Sequence, residues 1–218
     1  MLNLLKIIYL LPLLTSCAGY KMVEKSNPLA RYGIKKISVP MFLNQSTLAA
    51  TSSSFTSEFI SLLSSYPNLK ARAGFQKDSD AVLIGIVQSN KRYSQTVINS
   101  QQRVVTTVAP NTLGNERSDF YIPATSQVKL RLKILLLLKP TEQELKLLRS
   151  KYAAKLRGNR KIIFSEVIEV TDTFNRETFD NEAGQVNFTQ NYGVLNRSIK
   201  KMAKQAASTF EETILYAF

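Results

Sequence analysis

The chain has 218 residues, of which 29 are lysine or arginine and 16 are aspartate or glutamate, so its formal net charge is +13. It contains one cysteine and no histidine, which excludes a disulfide within one chain, a thiolate metal site and a histidine-based nucleophile. The usual general base at neutral pH is also missing, and the paired glutamates are typical of a solvated surface. We therefore expect a protein that is not an enzyme and that has no metal and no cofactor.

An apolar run opens the chain and ends at the single cysteine. Residues 7–14 are apolar with Lys6 before them, and Thr15, Ser16 and Cys17 follow. The run is shorter than the roughly 20 residues that span a bilayer, but it has the length of a signal-peptide core. The stretch resembles a bacterial lipobox, which implies cleavage before Cys17 and acylation of that cysteine, for example by palmitate. The alternatives are an ordinary signal peptide or a buried first helix.

A polar segment and a first strand and helix come next. Residues 17–33 show no clean period and predict a tether after the signal peptide of residues 1–16, with a single domain over residues 34–218. Alternation predicts a strand over residues 34–42, and Pro40 indicates that this strand either ends there or lies at an edge of the sheet. Residues 44–47 offer N-cap side chains for a helix. The apolar stripe of that helix, which we expect to end near residue 66, is formed by Phe55, Phe59, Leu62, Leu63 and Tyr66.

The middle of the chain predicts a sheet. Residues 80–87 are almost continuously apolar, as in a central strand, and residues 102–109 are interpreted as its return strand. A short strand is expected over residues 69–73. The clearest strand covers residues 126–139, because apolar and basic side chains alternate along it. On this prediction Val128, Leu130, Leu132 and Ile134 point to one side, and Lys129, Arg131 and Lys133 to the other.

A helical segment interrupts the next hairpin. Residues 141–158 are helical in type, with a capping box formed by Thr141 and Glu144. The strand predicted over residues 161–175 would then pair with the strand before this insertion. A last amphipathic helix is expected over residues 193–217. Two amphipathic helices on one face of a mixed or antiparallel sheet make a two-layer α+β sandwich with a helical insertion in one hairpin.

Positive charge is concentrated around this hairpin. Residues 129–161 contain eleven basic and two acidic residues, a local excess of nine positive charges. Such a field attracts a polyanion or an anionic membrane, although a solubilising surface remains the alternative. We do not expect a nucleic acid partner, because a secreted lipoprotein does not meet one. A phosphorylated glycolipid is the more natural anion, with Lys129, Arg131 and Lys133 as its candidate contacts.

Three short stretches carry a family resemblance. They are the Cys-Ala-Gly-Tyr sequence at residues 17–20, the segment at 33–47 that contains Phe42-x-Asn44-x-Ser46, and the strand at 78–86. Together they resemble the lipopolysaccharide-assembly lipoprotein E family. The insertion at 141–158 is longer than the usual hairpin turn of that family, and the chain as a whole is longer than typical members.

The resemblance implies a function and partners. A member of the family would be a lipid-anchored, periplasm-facing protein of the outer membrane that binds lipopolysaccharide. It would plug, and help to assemble, the β-barrel that delivers lipopolysaccharide to the cell surface. Ala18 after the acylated cysteine favours the outer membrane in the enteric sorting rule. By location only, Lys91 and Arg92 join Lys129, Arg131 and Lys133 as candidate lipopolysaccharide contacts.

Two other functions remain open. Envelope lipoproteins that activate a peptidoglycan synthase share a similar Val-x-x-Phe strand and a lipid tether, but they need a longer linker than residues 18–33 supply. A carrier of an apolar ligand within the sandwich is the other alternative, although no feature of the sequence requires a cavity.

Overall fold

The structure, a computed structural model, describes residues 26–105, 120–149, 161–176 and 187–216. Within these ranges the chain forms seven strands and four helices, in an α+β fold with an open mixed sheet. The predicted fold class is confirmed. The signal peptide, Cys17 and the part of the predicted insertion after residue 149 lie outside the described residues.

The element bounds follow the hydrophobic pattern of the sequence closely. The strands are β1 (Lys36–Val39), β2 (Leu43–Gln45), β3 (Lys70–Ala73), β4 (Ala81–Gln88), β5 (Val97–Val105), β6 (Phe120–Leu138) and β7 (Ile162–Asn175). The helices are α1 (Thr51–Ser64), the single turn α2 (Tyr93–Thr96), α3 (Glu142–Arg149) and α4 (Phe188–Tyr216). Pro40 interrupts the first predicted strand, which therefore appears as β1 and β2.

The sheet is organised around β6, the longest strand. β4 and β5 pair one after the other with one edge of β6, while β7 pairs with its other edge, all antiparallel. β1 is parallel to both β3 and β4, and α1 makes the crossover between β1 and β3. The predicted return strand of β4 at residues 102–109 is wrong, because Val97 lies opposite Val128 and β5 pairs with β6 instead.

The two long helices cover one face of this sheet. The predicted stripe of α1 is buried at Phe55, Phe59 and Leu63. α4 buries Met202 and Phe210, among others, against the same core. Four aromatic rings, from the β1–β2 connection, α1, α4 and β7, form a continuous row through this core. The ring centroids are 5.2 Å apart for Phe42–Phe59, 5.1 Å for Phe59–Phe210 and 5.4 Å for Phe210–Phe164.

Two of the stretches that carry the family resemblance pack on each other. The ring of Phe42 lies directly over Gly85 of β4, so that a Cβ at Gly85 would be 2.2 Å from the Phe42 Cδ2 atom. At the start of β4, Asp80 Oδ2 accepts hydrogen bonds from the backbone N–H groups of Lys35 and Lys36, both at 2.9 Å. These bonds, that of Lys35 first, lower the pKa of Asp80. Asp80 therefore connects β4 to the start of β1, and Gly85 lets the Phe42 ring, which follows β1, pack against β4.

The polar residues before α1 brace a turn and do not cap the helix. Asn44 Oδ1 accepts hydrogen bonds from the backbone N–H and the hydroxyl of Ser46, and Asn44 Nδ2 donates to the Leu48 carbonyl at 2.7 Å. The N-cap position is Ala50, which has no side-chain hydrogen bond to the helix and a left-handed φ of 59°. The predicted N-cap role of residues 44–47 is wrong, since α1 begins several residues later.

The described chain is ordered before residue 34. Ala30–Tyr32 forms a 3-10 turn, and Leu29 is fully buried beside α1 and α4. The sequence predicts a tether through residue 33, because one leucine in a polar segment gives no periodic signal. The hydrophobic core therefore includes Leu29, which belongs to that segment.

The hairpin that carries the insertion is closed at its base. The Leu138 N–H donates to the Lys161 carbonyl at 2.9 Å. The predicted capping box is confirmed: the Thr141 N–H donates to Glu144 Oε2 at 2.7 Å, and the Glu144 N–H donates to Thr141 Oγ1 at 3.3 Å. Lys161 Nζ also contacts Glu144 Oε2 at 2.9 Å.

Candidate anion-binding face

The predicted alternation along β6 is confirmed by burial. Val128, Leu130, Leu132 and Ile134 are buried on the helix-covered face. On the opposite face Lys129 and Arg131 are exposed, and Lys133 is half-buried. Because successive residues of a strand point to opposite faces, these three basic side chains follow one another at about 7 Å intervals. We call these three residues, together with Thr171, Glu169 and Val167 opposite them on β7, the basic face.

β7 modifies the charge of the basic face. Strand register places Glu169 opposite Arg131 and Val167 opposite Lys133. Arg131 Nε lies 3.6 Å from Glu169 Oε1, and both side chains are more than half exposed. An exposed pair of this kind contributes little to stability, but it offsets part of the Arg131 charge. Within the described residues, Lys129 and Lys133 form no ion pair.

A small notch lies at the end of the basic face. It is found along β6 between the pair Gln88–Arg131, where pairing with β4 ends, and the pair Val97–Val128, where pairing with β5 begins. Its volume is about 110 Å³, and its lining includes Ser89, Asn90, Lys129, Arg131 and Thr171. The turn around it is fixed by Asn90 Nδ2, which donates to the Gln95 carbonyl at 3.0 Å. Hydroxyl, amide and cationic groups converge there together with the carboxylate of Glu169, which pairs with Arg131. The cations, Lys129 above all, are the groups that would attract an oxyanion.

Lys91 and Arg92 lie directly after the two notch residues of the β4–β5 connection, and both are exposed. The structure therefore brings these candidates to the same end of the sheet as Lys129 and Arg131, while Lys133 lies further along β6. Cys17, the predicted lipid attachment site, lies outside the described residues.

Exposed apolar side chains accompany the cations, and no strong sequence pattern marks them. Tyr93 is 51% exposed beside Arg92, Val167 is 52% exposed opposite Lys133, and Ile98 is 37% exposed. Val167 gave a weak signal, since it occupies the solvent side of an alternating strand. Mixed apolar and basic character suits a ligand that carries both phosphate groups and hydrocarbon chains.

The other half of the same sheet face is apolar and buried. A second hydrophobic cluster is formed there by Val82, Ile84, Ile86, Leu135 and Leu137. The face opposite α1 and α4 is thus divided along β6 into a basic half and an apolar half. None of the helices in the described ranges is long and apolar enough to cross a membrane.

Comparisons with known proteins give low similarity only. No family model matches the chain, and no curated protein matches it. Among solved structures, it aligns with rare lipoprotein B from Shewanella oneidensis at 11% identity and a TM-score of 0.33, covering 84% of this chain and 92% of that one. Lipoprotein GNA1162 from Neisseria meningitidis aligns at 11% identity and a TM-score of 0.33, covering 77% and 97% of the two chains.

A minor lipoprotein from Acinetobacter baumannii aligns at 13% identity and a TM-score of 0.32, covering 80% of this chain and 89% of that one. All three of these proteins are described as bacterial lipoproteins. Because their TM-scores are below 0.5, these structural similarities give no basis for inferring what this chain binds.

Proposed function

We propose that this protein is a lipid-anchored lipoprotein of the outer membrane that faces the periplasm and binds lipopolysaccharide. In this role it plugs, and helps to assemble, the β-barrel that delivers lipopolysaccharide to the cell surface. The observation that carries the proposal is the basic face, where Lys129 and Arg131 are exposed beside a polar notch. The work consists of binding and positioning, and it needs no catalytic group.

The chemistry of the basic face fits a phosphorylated glycolipid. Lysine and arginine form charge-assisted hydrogen bonds with phosphate oxygens. Val167 and Tyr93, each about half exposed, offer apolar surface next to those cations. A ligand with phosphates on a sugar and acyl chains attached would use both kinds of contact at once.

The remaining features support the location and the plug role. The lipobox-like stretch before Cys17 implies an anchor of the kind that holds a protein to a membrane without spanning it. The interior of a membrane barrel is polar, so a domain with a charged exterior can fill it. The stretches 33–47 and 78–86 that carry the resemblance contact each other in this fold, through the Phe42 ring on Gly85 and the Lys35 N–H group on Asp80 Oδ2.

The binding part is tested by charge reversal on the basic face. The triple variant Lys129→Glu, Arg131→Glu and Lys133→Glu is compared with Arg197→Glu, Lys200→Glu and Lys204→Glu, which reverses three exposed charges on α4. We expect the first variant to lose about tenfold or more in affinity for purified lipopolysaccharide. The α4 variant should bind nearly as well as the wild type. Equal binding by the wild type and the first variant would contradict the proposal.

The partner is tested by recovery from native envelopes. Full-length protein with a tag after Phe218 is captured in mild detergent, with Cys17→Ala as the control that cannot be acylated. We expect one stoichiometric large β-barrel protein with the wild type. Recovery of a peptidoglycan synthase instead would favour the alternative function of activating that enzyme.

A further inference from the structure

A second basic region lies at the other end of the sheet, where β1 and β3 begin. An open cleft of about 1090 Å³ is found there, and its described lining includes Ser26, Asn27, Lys35, Lys36, Asn68 and Lys70. The three lysines are exposed, and no carboxylate belongs to that lining. The cleft therefore presents positive charge on a concave surface.

The charges in this cleft are only partly balanced. Lys36 and Lys70 are direct partners on neighbouring parallel strands, an arrangement in which like charges repel. Lys36 Nζ is 3.2 Å from Asp78 Oδ2, an exposed ion pair. The other nearby carboxylate, that of Asp80, accepts the backbone N–H groups of Lys35 and Lys36. Within the described residues, the ammonium groups of Lys35 and Lys70 form no ion pair.

The cleft is lined by residues that are close in sequence to Cys17. Ser26 and Asn27, the first described residues, line the cleft. Cys17 is nine residues earlier, a distance that spans at most about 30 Å when the chain is fully extended. A lipid on Cys17 would therefore hold the cleft within reach of the membrane surface.

The basic face lies at the opposite end of β4 from the cleft. Ala81, beside the cleft at the start of β4, lies opposite Leu138, whereas Gln88 at the end of β4 lies opposite Arg131. Seven residues of β6 separate these two pairs, which corresponds to about 24 Å along the sheet. The cleft and the basic face are thus at opposite ends of β4 and can bind different partners.

We propose that the cleft binds the phosphate headgroups of anionic phospholipids in the membrane that carries the anchor, with Lys35 and Lys70 as the main contacts. This contact orients the domain so that the basic face is directed away from that membrane surface. The inference rests on the lipid attachment at Cys17 in the proposed function, but it does not depend on lipopolysaccharide or on a barrel partner. One acyl anchor and a basic patch together give more stable membrane attachment than either alone.

The test measures vesicle binding without the lipid. The chain from residue 17 to residue 218, with Cys17→Ala, is sedimented with vesicles of phosphatidylglycerol and phosphatidylcholine, or of phosphatidylcholine alone. Lys35→Glu with Lys70→Glu is compared with Lys200→Glu and Lys204→Glu, which makes the same change of charge on α4. We expect the cleft variant to lose about tenfold or more in affinity for the anionic vesicles, and the α4 variant to lose less than about threefold.

Three outcomes with folded variants would overturn the inference. Equal losses in both variants would mean that only net charge matters, and no loss in either would mean that the cleft does not bind lipid. Release by millimolar inorganic phosphate at constant ionic strength would assign the cleft to free phosphate. If the cleft variant unfolds, Lys35→Gln with Lys70→Gln replaces it.

Labelling of Cys17 with radioactive palmitate tests the anchor separately, so failure of the proposed function is distinguished from failure of the cleft.

Discussion

Along residues 128–134 of β6, alternate side chains lie in different environments: those on one face are buried, and those on the other are exposed or half-buried. Leu130 and Leu132 are buried under α1 and α4, and their neighbours Lys129 and Arg131 are exposed on the other face. The first side is held by apolar packing that tolerates little change of volume. The second side has cations with few partners. The difference teaches that core packing and surface charge are assigned to separate residues of the same strand, one position apart.

The largest expected effect is on the packed side. Leu132→Ala should lower the free energy of unfolding by about 2–5 kcal/mol, because it leaves a cavity in a closely packed core. Arg131→Ala, one residue away, should change it by less than about 0.5 kcal/mol. Urea unfolding of both variants measures the difference. Similar losses in the two variants would show that the sides do not differ in the way described.

Gly85 tests how closely the packed side is fitted. Gly85→Ala places a methyl group against the Phe42 ring and should cost about 1–3 kcal/mol of unfolding free energy. Gly193→Ala is the matched control, since the nearest contact there is 3.9 Å away, and in a helix it should stabilise by about 0.5–1 kcal/mol. Thermal unfolding of both variants decides the matter. A neutral Gly85→Ala would mean that Phe42 can move aside at no cost.

Asp80 provides a polar connection at the edge of the apolar core, and its contribution depends on pH. Hydrogen bonds from the backbone N–H groups of Lys35 and Lys36 lower the pKa of Asp80. The stabilisation is therefore fully present above the unfolded pKa of about 4, and it is lost as the pH falls through the lower folded value. Asp80→Asn should cost about 1 kcal/mol at pH 6.

That difference between wild type and Asp80→Asn should shrink as the pH is lowered from 6 to 2. Urea unfolding across this range measures it. A difference that stays constant with pH would mean that the charge of Asp80 is not involved.

The smallest expected effect is in the insertion. Thr141→Ala removes the side chain of the capping box and should destabilise α3 locally by about 0.5–1 kcal/mol. Amide hydrogen exchange in α3 should become faster while global unfolding is unchanged. Thr141→Ser, which keeps the hydroxyl, should behave like the wild type. A drop in the global unfolding midpoint would show that α3 supports the core of the sheet.

Local patterns predicted much of this fold. The alternation in β6, the stripe of α1 and the capping box at Thr141 depend on residues close together in sequence, and the structure confirms them. Strand pairing was less predictable, because it depends on register between distant segments. The pairing of β5 with β6 instead of β4 is one case. The burial of Leu29 is another, since a single leucine has no period.

The candidate site was predictable in its cations but not in their surroundings. Lys129 and Arg131 follow from alternation alone. The ion pair of Arg131 with Glu169 requires the register of two strands whose paired residues are 38 positions apart. The notch requires the place where β4 ends and β5 begins along β6, and neither boundary has a strong signal in the sequence.

The closed base of the β6–β7 hairpin makes this end of the domain modular. Because the hydrogen bond from Leu138 to Lys161 closes the ladder before the insertion, we expect the ladder to keep its register when the length of the chain between them changes. Each doubling of a flexible loop costs only about 0.6 kcal/mol in closure entropy. The segment can therefore be exchanged for a short turn, a fluorescent reporter or an affinity tag while the rest of the sheet keeps its register.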